Sequence, residues 1–290
     1  MKELNKNLKN ILDNLYDNRS QIHMHNDPVS FCHKFNTPED QEIAGLIASS
    51  FAYGNVKIIL RNLQQIFSKI GDSPRRFAEN FQPEEGVRLF AGFKHRFNDA
   101  KDLSALFIAI RYMLEKSGSI KSFFLTDFAE SDKDITSALT KFTETLKSFD
   151  YSPVFGTKAL PPDSYFPFLF PSPASGSACK RLCMYLRWMV RPADGIDLGI
   201  WDIIHPSKLI IPVDAHIHRI SGLLGLTNRK QADWKMAQDI TDTLRELDPD
   251  DPVKYDFAIA HIGISEGCNG KNQQICRECP IAEVCTGNKF

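Results

Sequence analysis

The chain has 290 residues, 42% hydrophobic and 24% charged, with a formal net charge of −1 at pH 7. That length allows one large or two moderate domains with apolar cores, and the composition is that of a soluble globular protein. A near-zero charge excludes a polybasic protein that holds nucleic acid through its overall field, and no apolar run is long enough to span a bilayer. The opening Met1-Lys2-Glu3-Leu4-Asn5 lacks a signal-peptide core, so the expected location is the cytoplasm, with no membrane partner.

Helical spacing runs through nearly all of the sequence. Leu4, Leu8, Ile11, Leu12 and Leu15 fit an amphipathic first helix. His23, His25 and His33 lie near Cys32, but their spacing matches no common ligand set, and they read as surface or interlobe residues. Thr37-Pro38-Glu39-Asp40 is a capped start with proline in the first turn, leading into the apolar run Ile43 to Phe51. Ala52 to Asn55 break that helix, and Val56, Ile59, Leu60, Leu63, Ile66, Phe67 and Ile70 build the next, stopped by Gly71. Further helices are expected at 74–80, 84–91, 102–116, 119–130 and 132–149, and alternating strand patterns are essentially absent. Phe93-Lys94-His95-Arg96-Phe97 interleaves bases with aromatics but is too short to separate nucleic-acid contact from packing.

Residues 151–177 are rich in proline and aromatics and poor in charge, which predicts an ordered, packed connection rather than a flexible linker. A helix follows from about Ala178 to Val190, with Cys179 and Cys183 one turn apart as buried thiols. After an irregular stretch from Asp194 to Ser207, the run Leu209 to Val213 meets Asp214, and helices are expected at 214–224, 233–247 and 252–264. Trp188, Trp201 and Trp234 read as core or lobe-interface anchors. Two basic clusters stand out: Lys180, Arg181, Arg187 and Arg191 within 172–191, and Lys57, Arg61, Lys69, Arg75 and Arg76 within 54–76. Taken alone they are scattered surface charge.

Four of the seven cysteines, Cys268, Cys276, Cys279 and Cys285, fall in the last 23 residues as C-x7-C-x2-C-x5-C, with Pro280 after the third. Four thiolates on one irregular loop can close around a single inorganic centre. An iron–sulfur cluster tolerates uneven spacing of this kind, whereas structural zinc more often uses two facing C-x2-C knuckles and only one is present. Zinc remains the alternative, and disulfides the bland one.

Asp214 opens the helix Ala215-His216-Ile217-His218-Arg219-Ile220. As an N-cap it accepts a backbone N–H and complements the helix dipole. A capping carboxylate held at the edge of a cleft is also an electrostatic catalyst. Val213-Asp214-x-His216-Ile217-x-Arg219 followed by a terminal four-cysteine loop resembles the endonuclease III branch of the helix-hairpin-helix DNA glycosylase superfamily. The family's motif of this type carries its catalytic aspartate, and its cluster loop is one residue shorter than the one here. The likeness is good over residues 209–285 and weak over the preceding helices.

The resemblance implies an all-α, two-lobed fold with a [4Fe–4S] cluster on Cys268, Cys276, Cys279 and Cys285. The lobes would be 30–195, and 1–29 with 196–290. It implies a monomeric DNA repair glycosylase, with or without AP-lyase activity, that excises a damaged base from duplex DNA, with Asp214 stabilising positive charge on the sugar. The alternative is a non-catalytic DNA-binding protein that keeps the scaffold. A third option is a cluster protein with unrelated chemistry.

The family's hairpin maps onto Pro173-Ala174-Ser175-Gly176-Ser177-Ala178-Cys179-Lys180, which puts Ala178 where the family has its nucleophilic lysine. Lys180, 34 residues before Asp214, is then either the nucleophile or a phosphate-binding or solvated lysine. Hairpin amides at Gly176 and Ser177, with Lys180, Arg181 and Arg187, would hold the DNA backbone. Ser49 to Gly54 occupies the family's base-flipping segment, where Phe51 reads as core and Tyr53 as the wedge.

Overall fold

A computed structural model describes residues 2–19, 26–264, 267–269 and 273–287. The protein is mostly helical. Among the described residues the only strands are Lys94–His95 and Asn98–Asp99, an antiparallel pair in the register Lys94↔Asp99 and His95↔Asn98. Two-residue strands are too short to carry a period-two pattern, so the sequence gives no sign of them. The helix expected at 119–130 spans only Ile120–Leu125. No helix among the described residues is long and apolar enough to cross a membrane.

The chain folds as two compact units, one from Met1–Met24 with Gly176–Phe290, the other from His25–Ser175. The helix Lys180–Val190, expected with the middle of the chain, therefore belongs with the chain ends. Its ion pairs explain why, since Arg187 and Arg191 pair with Asp197, Asp251 and Asp256. In that unit the helix Lys2–Arg19 buries Leu8, Leu12 and Leu15. It is pinned by Tyr16, which donates to Asp194 at 2.7 Å, and by Asp13, which accepts from Tyr255 at 2.8 Å and pairs with Lys254 at 2.9 Å. Trp188, Trp201 and Trp234 are buried, with Tyr185 edge-on to Trp201 at 5.5 Å. Cys179 and Cys183 are buried as expected.

The His25–Ser175 unit is built around the helix Ala100–Ser117. Phe107 on that helix meets Phe77, Phe81 and Phe90 at 4.9, 5.1 and 5.5 Å. Gly86 is required beside this cluster, because a Cβ there would lie 2.2 Å from Phe81 Cζ. The proline-rich stretch is packed as expected, with Tyr151, Phe166, Leu169 and Phe170 buried. Phe51 is core, and His33 is exposed. His23 and His25 lie outside the described residues.

One carboxylate in this unit joins two helices. Glu42, buried on the helix Pro38–Ser50, accepts the Ile120 and Lys121 amides, both at 2.8 Å. These amides open the helix Ile120–Leu125, where a negative charge also complements the dipole. Glu42→Ala strands both donors and should lower the unfolding free energy by about 2–3 kcal/mol, measured by denaturant titration. A loss below about 0.5 kcal/mol would show that the cap contributes nothing.

Candidate active site and metal centre

The buried run Leu209–Val213 delivers Asp214 to the start of the helix Ala215–Leu223. The backbone of Asp214 is extended (φ −117°, ψ −170°), and its Oδ1 accepts the amides of His216 at 2.8 Å and Ile217 at 2.9 Å. The capping role is met by one oxygen. Oδ2 makes no hydrogen bond among the described residues, and the side chain is half-buried. Asp214 can therefore cap its helix and present an acceptor at the same time.

Gly176 is exposed at φ +77°, and its carbonyl accepts the Trp234 amide at 3.1 Å. Ser177 bridges to Asp233, and its Oγ accepts the Cys179 amide at 3.2 Å. Cys179 holds a left-handed conformation (φ 48°) that turns the chain into the helix Lys180–Val190. Lys180, its first residue, is half-buried and makes no ion pair within 4.0 Å among the described residues.

Two of the residues expected to contact DNA are buried. Arg181 and Arg187 are buried, and Arg187 is held inside the protein. Its Nε and Nη2 donate to Asp197 Oδ1, both at 3.1 Å, and its Nη1 pairs with Asp256. Arg191 is buried too, donating to Asp251 at 2.8 Å, to Asp194 at 3.0 Å and to the Tyr16 hydroxyl at 3.1 Å, and pairing with Asp197. The basic cluster at 180–191 lacked acids only in sequence. The counter-charges of Arg187 and Arg191 arrive from 194–256, which commits these two arginines to the interior.

Tyr53 also departs from the expected wedge. Its hydroxyl shares its one proton between the His95 carbonyl at 2.9 Å and Asn98 Oδ1 at 2.6 Å, and its ring stands edge-on to His95 at 4.5 Å. In this conformation the ring is anchored at its polar end.

Asp256 ties the site together, and sequence reasoning missed it. It sits in the first turn of the helix Asp256–Ile264 and is buried. Burial holds its carboxyl up at about 6, with Arg187 opposing; Asp214 adds to the rise and Lys180 offsets part of it. Lys180 and Asp214, 34 residues apart in sequence, thus both bear electrostatically on Asp256. The helices starting at Ala215 and Asp256 are closely packed, since a Cβ on Gly263 would lie 2.4 Å from His216 Nδ1. Arg187, set among Tyr185, Leu186, Trp188, Met189 and Val190, was the available signal, because a buried arginine demands an acid.

Among the described residues no disulfide joins the cysteines, and no three His, Cys, Asp or Glu side chains form a metal-holding group. Cys268 is buried, while Cys276, Cys279 and Cys285 are half-buried. The Cys279 amide turns back onto the Cys276 carbonyl at 3.4 Å, and Thr286 donates its amide and hydroxyl to Leu223 O at 2.7 and 2.9 Å. That anchors the loop to the end of the Asp214 helix. Ile281 is the one fully buried apolar side chain described between 273 and 287. Four thiols on a segment with so little apolar core fit a thiolate-bound inorganic centre by donor chemistry.

The family model described as "Protein of unknown function (DUF2400)" matches residues 27–265. The chain belongs to that family. The matched span includes Lys180, Asp214 and Asp256 and stops short of Cys268. No curated protein matches the sequence.

The raised carboxyl gives a test by pH. An unfolded aspartate titrates near 3.8, so native Asp256, at about 6, binds its proton more tightly than the unfolded chain does. Stability contributed by this group is present below the unfolded value and is lost as pH rises through the native one. Wild-type unfolding free energy should therefore fall relative to Asp256→Asn between pH ~4 and ~6, measured by urea titration. Parallel profiles would contradict the placement of Asp256.

Proposed function

We propose that this protein is a DNA repair glycosylase of the helix-hairpin-helix type that excises a damaged base from duplex DNA and then nicks the abasic strand. The observation that carries it is Asp214 at its helix start with Oδ2 left free of hydrogen bonds among the described residues, its charge and that of Lys180 both bearing on buried Asp256. Neither the family description nor the helical content speaks to activity. Support comes from the Val213-Asp214-x-His216-Ile217-x-Arg219 motif at a helix start, with a lysine and four terminal thiols.

The chemistry needs an amine, an anion and a flipped nucleotide. Lys180 Nζ, in its neutral form, attacks C1′ of the damaged nucleotide. The glycosidic bond breaks, the base leaves with the electron pair and takes up a proton, and positive charge builds on the sugar. Asp214 Oδ2 stabilises that charge, an interaction strongest in the transition state. The amine loses a proton, and the C1′–O4′ bond breaks with its electron pair leaving on O4′, which takes up a proton. The nitrogen lone pair closes the C1′=N bond of a protonated Schiff base, from which strand cleavage proceeds by elimination of the 3′ phosphate. The hairpin amides at Gly176 and Ser177 hold the backbone; Arg187 acts from within by fixing the helix that carries Lys180.

Cys268, Cys276, Cys279 and Cys285 would hold a [4Fe–4S] cluster, or zinc as the less favoured alternative. Such a centre supplies a structural core for the loop and no step of the reaction. Protein prepared without oxygen should carry iron and sulfide and a broad visible absorption, which Cys276→Ser should lose while residues 267–287 become more protease-sensitive. About one zinc per chain and no iron would refute the cluster.

Asp214→Asn should abolish base release while duplex binding changes little, since asparagine also caps and only the transition state carries the sugar's charge. Lys180→Ala should abolish nicking of abasic duplex. Glycosylase assays over a lesion panel, paired with duplex-binding isotherms, check both. Ala178 occupies the family's lysine position and favours the non-catalytic alternative. Wild-type protein that binds duplex yet neither excises nor nicks would establish that alternative.

A further inference from the structure

Three large aromatic side chains stand exposed on the His25–Ser175 unit: Phe97, Tyr165 and Phe168, at 47%, 46% and 43% of their full accessibility. They are neighbours. Phe97 and Tyr165 stack at 5.0 Å with an 18° interplanar angle, and Phe168 meets Phe97 edge-on at 6.4 Å and Tyr53 edge-on at 5.1 Å. Exposed apolar clusters of this kind mark contact surfaces rather than incidental exposure.

The cluster is also held rigidly from behind. Phe97 lies in the turn between the two short strands, next to Arg96 at φ +54°. The Tyr53 hydroxyl binds that hairpin at His95 and Asn98, and Asn62 donates to the Lys94 carbonyl at 2.9 Å. Asn98 donates in turn to the Tyr165 carbonyl at 2.9 Å, joining the hairpin to the proline-rich segment. Fixed rings lose little entropy when they are covered.

On the side of the hairpin and the helix Val56–Ile70, the charge beside the rings is positive. The Arg96 guanidinium lies 5.5 Å from the Phe97 ring centre, and its stem crosses Gly54, where a Cβ would lie 3.1 Å from Arg96 Cδ. Lys94 is exposed on the hairpin, and Lys57 and Arg61 are exposed on the adjoining helix Val56–Ile70, with Arg61 hydrogen-bonded to Asn62. Acids flank the opposite edge of the rings: Asp99, which caps the helix Ala100–Ser117, and Asp102 and Asp163 line a 180 Å³ cavity together with Phe97, Tyr165 and Lys101. A strand on the platform is therefore steered to the Arg96 side, away from that cavity.

We propose that Phe97, Tyr165 and Phe168 form a base-stacking platform for unpaired nucleotides of a nucleic acid, with Arg96, Lys94, Lys57 and Arg61 along its phosphate path. Aromatic faces accept any base, so the surface selects for unpaired strand rather than for sequence. It rests on the proposed glycosylase role only for the partner's chemical class, and its residues are separate from Lys180 and Asp214. The charged arm of the surface should weaken with salt, and the aromatic arm should not.

The test measures full-length protein against a short oligothymidylate, against the same length of abasic strand, and against duplex. Wild type should bind the thymidylate, and bind abasic strand roughly five- to a hundred-fold more weakly. Phe97→Leu with Tyr165→Leu, which keeps apolar bulk without a π-face, should lose a similar factor for thymidylate and little for duplex. Phe97→Trp should restore or strengthen binding. Equal affinity for thymidylate and abasic strand, or leucine variants that bind like wild type, would overturn the platform. Duplex binding with no single-strand binding would overturn it and leave the glycosylase role standing. Binding of neither nucleic acid would overturn both.

Discussion

Two buried arginines one turn apart organise the unit made by the chain ends. Arg187 and Arg191 share Asp197, and they reach on to Asp256, and to Asp194 and Asp251 respectively. Charges inside a protein persist only when paired and hydrogen-bonded, so each arginine fixes the positions of its acids. Those acids sit in the irregular stretch after the helix, in the loop before the last long helix and in that helix itself. Tyr16 brings the N-terminal helix into the same network through Asp194 and Arg191. The net contribution to stability can be small, because desolvation offsets attraction. The consequence for geometry is large, since removing any one partner leaves an uncompensated charge.

That constraint reaches the candidate site through one residue. Asp256 pairs with Arg187 and also feels the charges of Asp214 and Lys180. Lys180 begins the helix that Arg187 anchors, and Asp214 begins the helix against which Gly263 packs through His216. The lysine and the aspartate are therefore placed by rigid elements rather than by loops, which is what positioning a nucleophile and a charge stabiliser requires. The same aspartate helix receives the cysteine loop through Thr286 at Leu223. An inorganic centre on that loop would stiffen the far end of the helix that Asp214 caps.

Helices were legible because their apolar spacing and caps are local. Thr37 accepts the Asp40 amide, Asp214 caps as its place before Ala215 suggests, and Gly71 ends the helix Val56–Ile70. The packed proline-rich stretch was legible from its unspent aromatics. What failed was non-local. Arg181 and Arg187 look solvent-facing beside other bases, and only the fold buries both and supplies Asp197 and Asp256 to Arg187. Tyr53 looks exposed beside a glycine turn, and only the unexpected hairpin supplies acceptors for its hydroxyl. The joining of 176–195 to the chain ends follows from the same ion pairs, which no window of sequence contains.

The central claim is that Lys180 and Asp214 act on one sugar. It is tested most directly by reducing the reaction on abasic duplex with borohydride and mapping the adduct by peptide mass spectrometry. The account predicts a deoxyribose remnant on the Lys180 peptide, formed by wild type and lost in Lys180→Ala. A remnant on another lysine, or none under conditions where the protein binds the duplex, would contradict it.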